Sequence, residues 1–220
     1  MTTFVGETIS GALHTHGKRF KARLVAWGMT LDVLILLFLL AGLNPHLFGE
    51  HSENLLIFFP NSGGWWRFFT HPFVHVSWYH LLLDAGAFFI LYTGLQENRI
   101  IRKIIYLVLC GGFSLLAAVI FAPLIASKGL GGLSGTAHGL MALSGLEMMH
   151  HKAHWRAGLL SFLLVVSKSV YEFMAGEVLF AFMHMGLCGS PLAPCHLGGV
   201  VGGIISFFVF RLCKNRRQGN

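Results

Sequence analysis

Charge is what this sequence has least of. Only 11% of its 220 residues are Asp, Glu, Lys or Arg, less than half the roughly 25% of an ordinary soluble domain, so it cannot cover a large solvated surface. Acid is scarcer still, with 9 Asp and Glu against 16 Lys and Arg and a formal charge of +7. That excess does not point to nucleic acid, because the basic residues fall in short clusters between apolar runs, where they orient helices in a bilayer. Proline is limited to 6 residues, and no Pro/Ser-rich linker, low-complexity tract or internal repeat divides the chain. A single domain over residues 1–220 is therefore expected. The 4 cysteines, Cys110, Cys188, Cys195 and Cys213, include no CxxC pair, which leaves neither a zinc module nor a disulfide framework. Cys188 and Cys195 fall between the same two apolar segments and could pair in an oxidising compartment, although two free thiols are the favoured reading. An early apolar stretch is also missing. The first 21 residues are polar and run into a basic cluster at 18–23, so the first apolar segment reads as a retained span and not as a cleaved signal.

What is present is hydrocarbon. Hydrophobic residues make up 55% of the chain and the mean hydropathy is +0.67. A membrane span needs about 20 mostly apolar residues, and six segments qualify: 24–43, 79–96, 104–126, 134–149, 158–173 and 196–212. The fourth and fifth are short for a full crossing. The expected architecture is all-α, a polytopic six-span bundle, with a segment at 1–23 before the core (24–212) and a basic tail at 213–220 after it. Lys18, Arg19, Lys21 and Arg23 precede the first span, Arg99, Arg102 and Lys103 join the second to the third, and Lys152 and Arg156 join the fourth to the fifth. With Arg211, Lys214, Arg216 and Arg217 at the end, thirteen of the sixteen basic residues fall on one face, against Arg67 and Lys128 on the other and Lys168 within a span. Both termini are thus expected in the cytoplasm.

The first outer loop, 44–78, is rich in aromatic and apolar residues, including Leu55-Leu56-Ile57-Phe58-Phe59 and Trp65-Trp66-Arg67-Phe68-Phe69. A structureless solvent loop of that composition would be unusual, so it is expected to lie in the outer interface, divided by the turn Asn61-Ser62-Gly63-Gly64.

Ionisable and nucleophilic groups at membrane depth are costly and default to functional hypotheses. The first is Gly131-Gly132-Leu133-Ser134-Gly135, where a serine opens the fourth span near the amide groups of a helix N-terminus; on its own, a capping serine in a small-residue packing motif is the commoner case. The second is His196, opening the sixth span on one face with Gly199 and Gly203, a base for a hydroxyl or simply a packed interhelical histidine. The third is His71, His75 and His80 entering the second span, with Asp84 one turn on. No HExxH or paired carboxylate motif makes these a metal site, and no metal or cofactor is expected. His138, four residues after Ser134, shares its helix face and is open as a base, as a packing partner of His196, or as neither.

In this order the features resemble the rhomboid family of intramembrane serine proteases. The resemblance covers nearly all of the chain. It rests on Trp66-Arg67 in the outer loop, His71, His75 and His80 before the second span, Gly132-Leu133-Ser134-Gly135 at the fourth, and His196-x-x-Gly199-x-x-x-Gly203 on the sixth. The resemblance implies a Ser134–His196 catalytic dyad without a carboxylate and a cavity lined by Gly132, Gly135, His138, Gly199 and Gly203. It also implies an oxyanion site made by the Ser134 backbone amide, His80 and the residue one turn beyond. Rhomboids typically carry asparagine there and this chain has Asp84; an ionised carboxylate would repel an oxyanion, so Asp84 is either protonated by burial, turned to orient His80, or without part in the site. Trp66, Arg67, His71 and His75 would be structural. The pattern Ser-Gly-x-x-His-Gly on a minimal core also looks like rhombosortase, a bacterial subfamily proposed to process carboxy-terminal Gly-Gly helix tails. The implied partners are transmembrane protein substrates in the bilayer, and the implied location is a bacterial inner membrane with the site opening to the outer face. An inactive rhomboid-like binder of transmembrane helices is the alternative. Residues 174–194 resemble the mobile cap over a rhomboid active site. Lys168 and Glu172, four apart on the fifth span, read as a pair that neutralises itself, and Glu147 with His150 and His151 as an interfacial cluster.

Overall fold

The computed structural model describes residues 30–44, 53–179, 182, 185–189 and 192–218, with side chains of the last helix to Phe210. The expected amino-terminal segment, the first six residues of the first span and the side chain of Cys213 lie outside the described residues. The chain forms two compact units, Met1–Phe38 and Leu39–Asn220; apart from the start of α1, the elements and the site described below belong to the second.

The protein is all-α. Its long helices are α1 (Leu31–Gly42), α2 (Trp78–Gly94), α3 (Ile100–Phe121), α4 (Ser134–Met149), α5 (Trp155–Ala175) and α6 (Ala193–Gln218). Three of them, α3, α5 and α6 as far as Phe210, are long and apolar enough to cross a membrane. A fourth crossing arises if the helical turns Arg67–Phe73 and α2, bent by 98° at their junction, form one broken span. By length and composition the described residues thus give three to four spans where the sequence predicts six, because α1 has 12 described residues and α4 only 16. The shortness of α4 has a physical reason. It packs against α2, α3, α5 and α6 and buries Leu140, Ala142 and Leu143 completely; a helix enclosed by protein has no lipid thickness to match. The outer helices behave oppositely. Ile101, Ile104, Val108 and Ile120 of α3, and Leu160, Leu163 and Leu164 of α5, leave about half or more of their surface uncovered, as stripes of large apolar side chains suited to lipid.

Helix ends differ from the predicted ones for identifiable reasons. α3 starts at Ile100 and not at residue 104, because its basic first turn is accommodated: Arg102 pairs with Glu97 at 2.7 Å, and Lys103 lies 4.7 Å over the Tyr92 ring. It stops at Phe121, since Ala122 precedes Pro123 and is extended (φ −108°, ψ 95°). α5 gains Trp155 at one end and closes on Gly176 at φ 71°. α6 begins at Ala193, with Pro194 in its first turn.

Two glycine ridges wedge α6 between its neighbours. A Cβ on Gly199 would collide with the Gly135 carbonyl and one on Gly203 with the Gly139 carbonyl, both on α4. Gly198 and Gly202 face the Phe113 and Leu109 carbonyls of α3 in the same way. The i, i+4 spacing on both helices lets backbones touch where side chains would hold them apart.

Candidate active site

The turn before α4 is held by backbone hydrogen bonds from three directions. Phe58 and Leu130 form an antiparallel bridge at 3.1 and 2.8 Å, and the Gly132 amide donates to the His71 carbonyl at 3.0 Å. The Leu133 amide donates to Asp84 Oδ2 at 2.8 Å. Gly132 is required twice over, having φ +97° and no room for a Cβ, which would lie 2.8 Å from Asp84 Oδ2. Ser134 then takes the first position of α4, where backbone amides have no intrahelical acceptor.

The outer loop supports this turn. Trp66 Nε1 donates to the Leu55 carbonyl at 3.0 Å, Arg67 Nη1 to Ile57 at 3.1 Å, and Thr70 Oγ1 to Leu56 at 2.8 Å. His71 Nδ1 donates to the Arg67 carbonyl at 2.9 Å, and His75 Nδ1 to that of Phe73 at 3.1 Å. These bonds lock the segment that pairs with Leu130, while Trp65, Phe68 and Phe69 are left exposed. Ser77 caps α2 by accepting from the His80 amide at 3.0 Å and donates to the Leu187 carbonyl at 2.6 Å.

The close α4–α6 approach brings His196 Nε2 to 3.2 Å from Ser134 Oγ. On the other side of the ring, His196 Nδ1 lies 2.6 Å from Glu172 Oε2 on α5. A carboxylate accepts, so Nδ1 carries a proton and, in the neutral ring, Nε2 presents its lone pair to the hydroxyl. Glu172 has no exposed side-chain surface. Its other oxygen accepts from Lys168 Nζ at 2.6 Å and from the Leu179 amide at 2.9 Å. His138 is assigned by the same logic. Lys168 donates to its Nε2 at 2.9 Å, so Nδ1 donates to the Ser134 carbonyl at 2.7 Å. Its ring stacks on that of His196, with centroids 4.0 Å apart and 10° between planes. Of the three roles left open for His138, this is the geometry of a packing partner. The sequence spacing paired Glu172 with Lys168 and missed His196; only a helix-packing prediction across α5 and α6 would have found that contact.

Ser134 opens into a cavity of about 240 Å³, lined also by His80, Val74, Val76, Leu130, Gly131, Lys128, Cys188 and Leu192. Asp84 Oδ2 lies 3.4 Å from Nε2 of both His75 and His80 and is turned to the Leu133 amide. Of the three readings of Asp84, the one in which it orients His80 has this 3.4 Å contact beside it, and the same oxygen also holds the Leu133 amide. Cys110, Cys188 and Cys195 are free thiols; burial, and then the Asp84 charge, push the Cys188 thiol above its ordinary pKa.

Among the described residues, His138, Glu172 and His196 bring three ligand atoms within 4.8 Å of one another. That group does not include His71, His75 or His80. The Lys168 ammonium already bonds two of the three ligands, so a metal ion would have to displace a resident cation.

Apolar helices, three of them long enough to cross a membrane, with polar side chains gathered between them, describe an integral membrane protein. A family model described as the Rhomboid domain matches residues 62–213, well over half of the chain, and the protein belongs to that family. No curated protein matches it.

Proposed function

We propose that the chain is an intramembrane serine endopeptidase that cuts single-span membrane proteins with Ser134 as nucleophile and His196 as base. The observation that carries this reading is the 3.2 Å approach of His196 Nε2 to Ser134 Oγ beside a cavity that reaches the serine. His196 takes the Ser134 proton as Oγ attacks a peptide carbonyl, and the oxyanion is met by the Ser134 amide and His80. His196 returns the proton to the leaving amine. Water, deprotonated by the same nitrogen, then hydrolyses the acyl ester and regenerates the hydroxyl. Asp84 acts behind this site by holding the Leu133 amide. No cofactor enters the scheme.

Within this reading the chain spans a bacterial inner membrane six times, with both termini cytoplasmic and the cavity opening outward. Supporting this are the distribution of basic residues and the exposed aromatic face of the outer loop. Gly-Gly-tailed single-span proteins are the proposed substrates, on the strength of the Ser-Gly-x-x-His-Gly pattern. The test is labelling of purified protein with a serine-directed fluorophosphonate, expected to be lost in Ser134→Ala and His196→Ala. Incubation with a library of single-span substrates and mass spectrometry of the products tests the substrate class. Asp84 favours one other reading, a rhomboid-like binder without activity; transmembrane helices bound at every pH and never cut would select it.

A further inference from the structure

We propose that Glu172 is a positioning residue that completes a carboxylate–histidine–serine series, and that Lys168 holds that carboxylate ionised at membrane depth; this rests on the protease reading above. The sequence alone suggests a self-neutralising Lys168–Glu172 pair, and the geometry goes further. A self-sufficient pair needs only its two members, whereas here Lys168 meets one carboxylate oxygen, at 2.6 Å, and leaves the other to His196 Nδ1, also at 2.6 Å. The Leu179 amide supplies a third donor. Burying a carboxylate is costly unless its acceptor sites are filled, and these donors come from α5 itself, the segment after it and α6.

Two consequences follow for the imidazole. Its proton is fixed on Nδ1, so the lone pair of Nε2 faces the hydroxyl without a tautomer change. The positive charge that arrives with the Ser134 proton is met by a carboxylate at hydrogen-bond distance. Lys168 serves both rings of the stacked pair, since the donor that pins Glu172 also occupies His138 Nε2. His138 is thereby kept from competing for the serine proton.

Full-length protein in nanodiscs would be assayed as wild type, E172Q, E172D, K168M and K168M/E172Q, by fluorophosphonate labelling rate and by cleavage of one single-span reporter. E172Q should lower kcat by about 10²- to 10⁴-fold, the range set by losing the orienting carboxylate of a serine–histidine pair, with KM changed less than about threefold. E172D should recover part of the loss. K168M should lose less than E172Q, and the double variant should stay as slow as E172Q. If the pair served only to cancel charge, the double variant, with neither charge left, would recover toward the wild-type rate, and that result overturns the proposal. ¹⁵N-histidine spectra, with His196 assigned by its loss in His196→Asn, should show protonated Nδ1 in the wild type and a changed pattern in E172Q; protonated Nε2 in the wild type also overturns it. A wild type that labels no faster than E172Q removes this inference alone. A wild type that neither labels nor cleaves removes the protease reading and this inference with it.

Discussion

Asp84 illustrates how one atom changes a residue's task. Its Oδ2 accepts the Leu133 amide at 2.8 Å and so fixes the peptide immediately before Ser134, while His75 and His80 flank it. An asparagine could still accept through its amide oxygen, and an alanine could not. Asp84→Ala is therefore expected to label with fluorophosphonate at least about tenfold more slowly than Asp84→Asn, the difference reflecting about 1.4 kcal/mol for an orphaned buried donor. His138 admits a similar comparison. His138→Phe keeps a ring against His196 and His138→Ala does not, so labelling should fall further in the alanine variant, by roughly threefold to tenfold for a lost ring contact of about 0.5–1.5 kcal/mol. Ser134 and His196 were legible because their type, order and helix faces stand in the sequence. Glu172 was only half legible. The i, i+4 relation to Lys168 is a local property, whereas its contact with His196, 24 residues on, depends on how α5 leans against α6.

Among the elements, the glycine ridges carry the sharpest expectation. Gly199→Ala and Gly203→Ala should each destabilise the protein by about 1–3 kcal/mol or more, the cost of overpacking a tight contact, seen as a lower unfolding midpoint in detergent. Gly112→Ala on α3, which meets nothing within 4 Å, should be neutral or slightly stabilising by helix propensity. The α2–α3 turn offers a pH test. Although burial opposes it, the Arg99 amide and the Arg102 guanidinium hold the Glu97 carboxyl below its ordinary pKa. A lowered folded-state value means a contribution present above the unfolded pKa and lost as pH falls through the folded one. Glu97→Gln should consequently narrow its stability gap to wild type on acidification, followed by unfolding midpoints from neutral pH down past the carboxylate range. The existence of the six long helices was readable from apolar run length. The ends were not, because Arg102 and Lys103 look like loop residues until Glu97 and the aromatic rings of Tyr92 and Phe210 receive them.

For the whole molecule, composition alone excluded a soluble domain, and the family match agrees with that. The number of crossings was less legible, because hydropathy scores lipid contact and α4 is shielded from lipid by four other helices. The expected topology predicts that a fluorescent protein fused after Asn220 matures in the cytoplasm and that alkaline phosphatase inserted near Lys128 is active; the reverse pattern would invert the orientation.

The backbone contact between α4 and α6 has a further consequence. Carbonyl oxygens rest directly on glycine Cα atoms, so the spacing between Ser134 and His196 is gauged by two main chains and cannot be retuned by swapping rotamers. Variation at the exposed residues that line the cavity, Val76 and Lys128, leaves that gauge untouched. On the protease reading proposed above, such a scaffold can change what it recognises without recalibrating how it cuts.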